Sequence, residues 1–329
     1  MRAAWYERNG PAEEVIQVGT KPDPAPGAGD VLIRLMASGV NPADGYRRRG
    51  VEYGMEGPFV IPNSDGAGVV EAVGAGVTRL AVGQRVWLYN GQRNGRTWGT
   101  AAELIALDET LATPLPDAVS FEAGACLGIP CMTAHRCVFG SGPVTGLDVL
   151  VTGGGGAVGN YAIQLAKWGG ARVLTTVGTG WQREDAITAG ADVIVDRSAG
   201  DLAREILDAT RGKGVDRIVD VDFGGNLAVS RAVIALNGTI AAYATRGDMT
   251  PTVPFREFMR KNVTVQAVLL PTSPLAGRRQ AQADILRWLQ EGTRLHRIAG
   301  AYPLAETVAA HQAVETGGKR GTIVVLPQA

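Results

Sequence analysis

Residues 148–180 read DVLVTGGGGAVGNYAIQLAKWGGARVLTTVGTG. The run Val149-Leu150-Val151 is apolar without alternation, the pattern of a strand buried on both faces of a parallel sheet. Four glycines follow, Gly153 to Gly156, and then Val158, Ala162, Leu165 and Ala166 recur at helical spacing, which predicts a helix with one apolar face. Gly169-Gly170 ends that helix, and Arg172–Val177 reads as the next strand. The turn before the helix carries Gly154-x-Gly156-x-x-Gly159. A pyrophosphate needs backbone N–H donors and the positive end of a helix close to it, and side chains at the turn would hold it away. The glycine pattern alone is weak, but strand, helix and second strand flank it in the required order. Gly153, Gly154, Gly155, Gly156, Ala157, Val158 and Gly159 are therefore the expected cradle of a dinucleotide. The competing reading is a glycine-rich loop that only turns the chain.

A length of 329 residues predicts two domains, each able to bury its own core. An apolar content of 45% with 19% charged residues is ordinary for a globular protein, and the formal net charge of zero gives no electrostatic reason to expect nucleic acid or an anionic membrane as a partner. The 45 glycines suit a chain of many strand–helix turns. No run approaches the roughly 18 apolar residues of a membrane span, and the N-terminus lacks the shape of a signal peptide. Cys126, Cys131 and Cys137 cannot all pair, so a reduced, cytoplasmic setting is expected.

Residues 1 to about 122 are rich in short strands, prolines and glycines. Lys21–Asp30 is a loop by composition. Val31–Ala37, Asp65–Val73 and Gln84–Tyr89 read as strands, the pattern of a partly open β-barrel. Asn41-Pro42 would lead into a short helix carrying Asp44 and Tyr46. Ser120–Phe139 reads as helical, broken at Pro130, and crosses into the second domain. From 148 to about 263 strand and helix alternate, with strands expected at 149–152, 172–177, 192–196, 217–221, 239–243 and 263–267, which argues for a doubly wound parallel sheet. Helices are expected over 201–210 and 277–291 and from about Pro303. Thr322–Leu326 reads as a closing strand that returns to the first domain.

Several segments resemble a known family. Gly39-Val-Asn-Pro-Ala-Asp-Gly-Tyr-Arg-Arg-Arg-Gly50, Asn63-Ser-Asp-Gly-Ala-Gly-Val-Val-Glu-Ala-Val-Gly74, Gly128-Ile-Pro-Cys-Met-Thr-Ala134 and the glycine turn are similar to zinc-free medium-chain dehydrogenase/reductases, in the zeta-crystallin-like quinone oxidoreductase branch. The resemblance covers essentially the whole chain. It implies a GroES-like catalytic domain of residues 1–122 with 268–329, a Rossmann domain of residues 123–267, NADPH in the cleft, and a homodimer or homotetramer. Zinc-dependent relatives carry Cys where this chain has Asn41 and a His-Glu pair where it has Ser64-Asp65. With His135, His296 and His311 as the only histidines and no closely spaced cysteines, no metal is expected.

An NAD-specific site usually ends its second strand with an acid that binds the ribose. Here that position falls at Val177-Gly178-Thr179, which permits a 2′-phosphate, and Arg183 and Arg197 are the nearby cations able to grip it. Thr245 and Arg246 follow the fifth strand at its C-terminal end, and Thr133 and Leu269 complete the expected cofactor contacts. At the reacting end the resemblance places Asn41 and Tyr46, either of which would hydrogen-bond an acceptor; Tyr46 could also donate a proton to an enone. Cys131 and Trp98 are expected in the substrate pocket. Asp65 is expected to lock a loop, and His135 to be packed. The loop Tyr89–Trp98 is longer and more basic than usual, and would either steer a polar acceptor or lie plainly exposed. The sequence thus predicts an NADPH-dependent quinone oxidoreductase (EC 1.6.5.5-like). The nearest rival is an enone or alkenal C=C reductase on the same framework. A rival of another class is a nucleotide-sensing or nucleic-acid-binding protein, for which Arg47-Arg48-Arg49 is the only dense basic cluster.

Overall fold

Short alternating runs in the first third of the chain pair as antiparallel strands. The computed structural model describes residues 1–51, 54–178, 180–198 and 200–329. In it β1 (Arg2–Trp5) pairs β2 (Gln17–Thr20) around α1 (Ala12–Val15). The long β3 (Asp30–Val40) leads into α2 (Pro42–Arg49), and β4 (Asp65–Val73), β5 (Arg85–Leu88), β6 (Leu104–Asp108) and β7 (Ala112–Pro114) follow. Strand β3 pairs β4 along one edge and β6, through Asp30–Arg34, along the other, and β4 pairs β5, which pairs β7. Alternate side chains from these strands, among them Val31, Ile33, Leu35, Val70, Val86, Leu88, Ile105 and Leu107, form one buried core.

The connecting segment is helical in pieces: α3 (Phe121–Gly124), a wide turn at Leu127–Cys131 holding Pro130, and α4 (Met132–Phe139). Then strand and helix alternate: β8 (Asp148–Val151), α5 (Ala157–Trp168), β9 (Arg172–Val177), α6 (Gly180–Ala189), β10 (Val193–Asp196), α7 (Leu202–Ala209), β11 (Val215–Asp220), α8 (Phe223–Val233), β12 (Ile234–Ala242), α9 (Phe255–Lys261) and β13 (Thr264–Ala267). All pairings in this sheet are parallel, in the order β10-β9-β8-β11-β12-β13. The order reverses between β8 and β11, the point at which doubly wound sheets bind ligands beyond their strand ends. Leu150, Leu174, Val195, Ile206, Ile218 and Ile240 pack within it. After α10 (Leu275–Gln290), β14 (Ile298–Pro303), α11 (Thr307–Thr316) and β15 (Thr322–Leu326), the chain end returns to the first sheet, where β15 pairs β3.

Two units result, Met1–Ile129 with Gln282–Ala329 and Pro130–Ala281. Their limits lie later in the chain than 122 and 267. Helix α3 packs on β3, β4 and β5, which draws residues up to Ile129 into the first unit, and the turn Leu270–Thr272 packs on α4, which keeps it in the second. Among the described residues no helix is long and apolar enough to cross a membrane.

Candidate functional site: a glycine cradle and a buried polar cluster

In the parallel-sheet unit, Gly153 opens the turn with φ of 68°, a left-handed conformation that favours glycine. A Cβ on Gly154 would lie 2.1 Å from Thr175 Oγ1, and one on Gly159 would lie 2.3 Å from the carbonyl oxygen of Gly153. These two glycines let α5 close onto β9 and onto its own turn. Gly156 precedes α5 with no side chain to cap it, so the leading amides, from Ala157, Val158 and Gly159, remain available at the positive helix end. Gly155 faces a neighbour the sequence reading missed: its Cβ would lie 2.4 Å from Gln182 Cγ, and Gln182 Oε1 accepts the Gly178 N–H at 2.6 Å.

Strand β9 ends at Val177 without an acid. A Cβ on Gly178 would lie 2.8 Å from Arg197 Nη2, so this guanidinium stands against the strand end. Asp196 is held below the usual carboxylate range, chiefly by the hydroxyl and N–H of Ser198, with the charges of Arg183 and Arg197 adding to the effect. Both arginines therefore share one neighbourhood. Thr179 lies outside the described residues. Beyond β12, the Asp222 carboxylate accepts the N–H groups of Arg246 at 2.7 Å, Gly247 at 3.1 Å and Gly225 at 3.2 Å. Burial works to raise its pKa, and these donors hold it below the usual range. Thr245 spends its hydroxyl on the Gly224 N–H of α8, which it accepts, and on the Asp248 carbonyl, to which it donates. Thr133 is buried on α4, and Leu269 is exposed just after β13. His135 is buried with its ring 4.9 Å from that of Phe139.

The first unit gathers the other candidates. Register sets Gly39 of β3 opposite Asp65 of β4, so Asn41, two residues on, comes beside that acid. Asn41 Nδ2 donates to Asp65 Oδ2 at 2.7 Å, and both Asp65 oxygens accept the N–H of Ile129, at 2.9 and 2.8 Å. Two glycines admit this arrangement: a Cβ on Gly128 would lie 2.1 Å from Asp65 Oδ1, and one on Gly39 would lie 2.3 Å from the Ala125 carbonyl. Asp65 is fully buried, and burial pushes its carboxyl up to about 8 against the pull of the Asn41 hydrogen bond. Asp44 Oδ2 accepts the Asn41 N–H at 2.8 Å, and its Oδ1 takes Arg93 Nη2 at 2.9 Å and Ser64 Oγ at 3.2 Å. Tyr46 is half-buried on α2, under the Arg49 guanidinium.

The loop 89–98 is not plainly exposed. Arg93 is buried against Asp44, and Arg96 donates to the carbonyls of Gly91 and Ala106, so its basic side chains bind the loop down instead of facing solvent. Trp98 packs edge-on to Phe59 beside the cluster of Ala3, Ile61 and Leu304, and Cys131 is buried at the end of its turn. The cluster Arg47-Arg48-Arg49 is likewise committed, to Glu56 and to Glu315. Among the described residues no three His, Cys, Asp or Glu side chains converge on one point. At the positions where the resemblance places the ligands of zinc-dependent relatives stand an amide, Asn41, and an acid, Asp65, that accepts from Asn41 Nδ2 and the Ile129 N–H, a donor set that does not fit zinc.

Residues 27–117 match the family model described as "Alcohol dehydrogenase GroES-like domain", and residues 157–291 match the one described as "Zinc-binding dehydrogenase". The chain is 30% identical over 305 residues to the quinone oxidoreductase of Rattus norvegicus, covering 92% of this chain and 91% of that one. Among solved structures it is similar to an NAD-dependent alcohol dehydrogenase (TM-score 0.87, 29% identity, 99% of both chains). It is also similar to a mycobacterial protein solved in complex with NADPH (TM-score 0.86, 30% identity, 99% of this chain and 100% of that one). With the glycine cradle on a doubly wound sheet and the motif segments gathered around Asp65, this chain belongs to the zinc-free, quinone oxidoreductase-like family of medium-chain dehydrogenase/reductases and is an oxidoreductase of that family.

Proposed function

We propose that the protein is an NADPH-dependent quinone reductase that works by direct hydride transfer without a metal. The observation that carries this reading is the end of β9: no acid stands there to accept from a ribose hydroxyl, and the Arg197 guanidinium lies against Gly178 with Arg183 in the same neighbourhood. A guanidinium matches a phosphate with two parallel N–H donors, so the 2′-phosphate of NADPH suits this end where the bare hydroxyl of NADH gains nothing. The uncapped amides of α5 and the bare turn Gly153–Gly156 would hold the pyrophosphate. Thr245, Arg246, Thr133 and Leu269 would meet the remainder of the nucleotide, and the clamp of Asp222 on the 245–247 loop keeps that loop in one conformation.

When bound, NADPH supplies a hydride from C4 of its nicotinamide. A quinone is already a strong electrophile, so the chain's own task is to bind, orient and exclude water. Asn41 and Tyr46 are the polar side chains we assign to the acceptor, and Cys131 and Trp98 to the walls around it.

The test is a titration of the purified protein with NADPH and with NADH, followed by steady-state rates with a small para-quinone and with an enone, read from the absorbance of the reduced cofactor. Tighter binding of NADPH and turnover of the quinone are expected. Turnover of the enone with none of the quinone would replace this reading by C=C reduction, and equal affinity for both nucleotides would remove the role given to Arg197.

A further inference from the structure

We infer that Asp65 is a positioning residue for Asn41: by taking one Nδ2–H it decides which end of the Asn41 carboxamide points inward, and so presents the second Nδ2–H to the carbonyl oxygen of the acceptor. The inference rests on the assignment of Asn41 to the acceptor made above. Its physical basis is an asymmetry. In its ionised form, which prevails above about pH 8, Asp65 only accepts, so the amide beside it must point its nitrogen inward and not its oxygen. Asn41 Nδ2 lies 2.7 Å from Asp65 Oδ2 and makes this one hydrogen bond, which leaves its second hydrogen for another partner. Asp65 itself cannot turn away. It is fully buried, both oxygens accept the Ile129 N–H, and the backbone of Gly128 closes against Oδ1 so tightly that no Cβ would fit. The main chain of Asn41 is fixed as well, because its N–H donates to Asp44 Oδ2 at 2.8 Å.

The reaction gives this donor a purpose. As a quinone takes the hydride and its electron pair, negative charge grows on the carbonyl oxygen, NADPH is oxidised to NADP⁺, and water supplies the proton that completes the hydroquinone. A fixed N–H aimed at that oxygen stabilises the charge as it forms and needs no reorganisation to do so. An amide turned the other way would set oxygen against oxygen.

A double-mutant cycle with NADPH and a para-quinone, run at about pH 9 where Asp65 is ionised, tests this. N41A should lower kcat about a hundredfold to a thousandfold, the cost of removing one such donor. D65N keeps the size of the side chain but offers the inward end of Asn41 a donor as well as an acceptor, and should lower kcat about tenfold with little change in the KM for NADPH. In the N41A background D65N should cost almost nothing more, because the residue it acts through is gone. Effects of D65N and N41A that simply add would overturn the inference while leaving quinone reduction intact; an absence of turnover in the wild type would instead be a failure of the functional reading. A second readout needs no turnover. In the wild-type protein labelled with ¹⁵N-asparagine, the Asn41 side-chain amide, identified by its loss in N41A, should show one proton protected from solvent exchange and one exchanging faster. Two protons exchanging alike would also overturn the inference.

Discussion

Asn41 and Asp65 are held side by side at 2.7 Å by strand register, and the Ile129 N–H closes the group from a third segment. Three of the sequence motifs, around Asn41, Asp65 and Gly128, thus meet at one buried acid. Loss of solvent pushes that acid up to about 8 from 3.8, against the Asn41 hydrogen bond and with the Asp44 charge adding to the rise. Between about pH 4 and about pH 8 the folded state then keeps a proton that the unfolded chain has lost. The group's contribution is fully present below its unfolded value and is lost as pH rises through the folded one. The stability of D65N should therefore gain on that of the wild type as pH rises across this window, by up to about 1.4 kcal/mol per pH unit. Urea unfolding of both proteins at several pH values measures this. A difference that does not change with pH would show that Asp65 ionises as an ordinary carboxylate.

The parallel sheet was legible because its strands are buried on both faces: β8 carries the apolar run Val149–Val151, β9 is buried from Val173 to Val177, and a glycine turn punctuates them. The strands β2 and β14 gave no such signal. Both are mostly exposed, and they exist because a neighbouring strand offers a ladder, not because they have apolar residues to bury. The site divides in the same way. Glycines announce a phosphate by local pattern. The role of Asp65 depends on which residue lies opposite it across a sheet, and that of Gln182 on how α6 meets the turn, neither of which is written in local spacing.

The Arg93–Asp44 pair shows how far a charge can be misread from composition. The sequence makes Arg93 one of two arginines in an unusually basic loop, yet it is buried, with Nη2 2.9 Å from Asp44 Oδ1 and Nη1 donating to the Gln92 carbonyl at 2.7 Å. Removing one partner of a buried ion pair leaves the other charged and without compensation, which typically costs about 3–5 kcal/mol. R93A should be destabilised by about that amount. R93A/D44N should recover part of the loss, since the stranded charge is gone. Thermal or urea unfolding of the single and double variants tests this, and a loss in R93A under about 1 kcal/mol, the level of an exposed pair, would contradict it.

Arg197 offers a prediction of selectivity. Its guanidinium lies beside Gly178 at the end of β9, where an acid would otherwise select the ribose hydroxyl. A hydrogen bond to a charged partner is worth about 1.5–3 kcal/mol. R197A should therefore weaken NADPH binding by about ten- to a hundredfold while leaving NADH nearly unchanged, and R183A should act in the same direction. Fluorescence titration of each variant with both nucleotides gives the ratio. A parallel loss for NADPH and NADH would mean that Arg197 supports the fold of the loop and does not read the phosphate.

His311 is a buried, acid-sensitive ring in the first unit. Asn63 Nδ2 donates to Ser38 Oγ at 3.0 Å, so Asn63 Oδ1 is an acceptor, and His311 Nε2, 3.0 Å from it, must carry the hydrogen. The ring is thus a neutral donor, and burial, with the Arg48 charge adding to it, pushes its pKa down to about 3 from 6.5. Below about pH 6.5 the unfolded chain takes up a proton that the folded state refuses. The contribution present above that value is lost as pH falls toward about 3, at up to about 1.4 kcal/mol per unit. This slope opposes that of Asp65 where the two windows overlap, which is why each must be read as a difference between wild type and variant. His296, pushed down to about 4 chiefly by burial, adds a second share of the same sign. H311N removes one titrating ring and keeps a side-chain donor for Asn63, so its stability should fall less steeply between pH 6.5 and 4 than that of the wild type. H311N/H296N should fall less steeply again. If both variants lose stability on acidification as fast as the wild type, the acid sensitivity arises at carboxylates and not at these two rings.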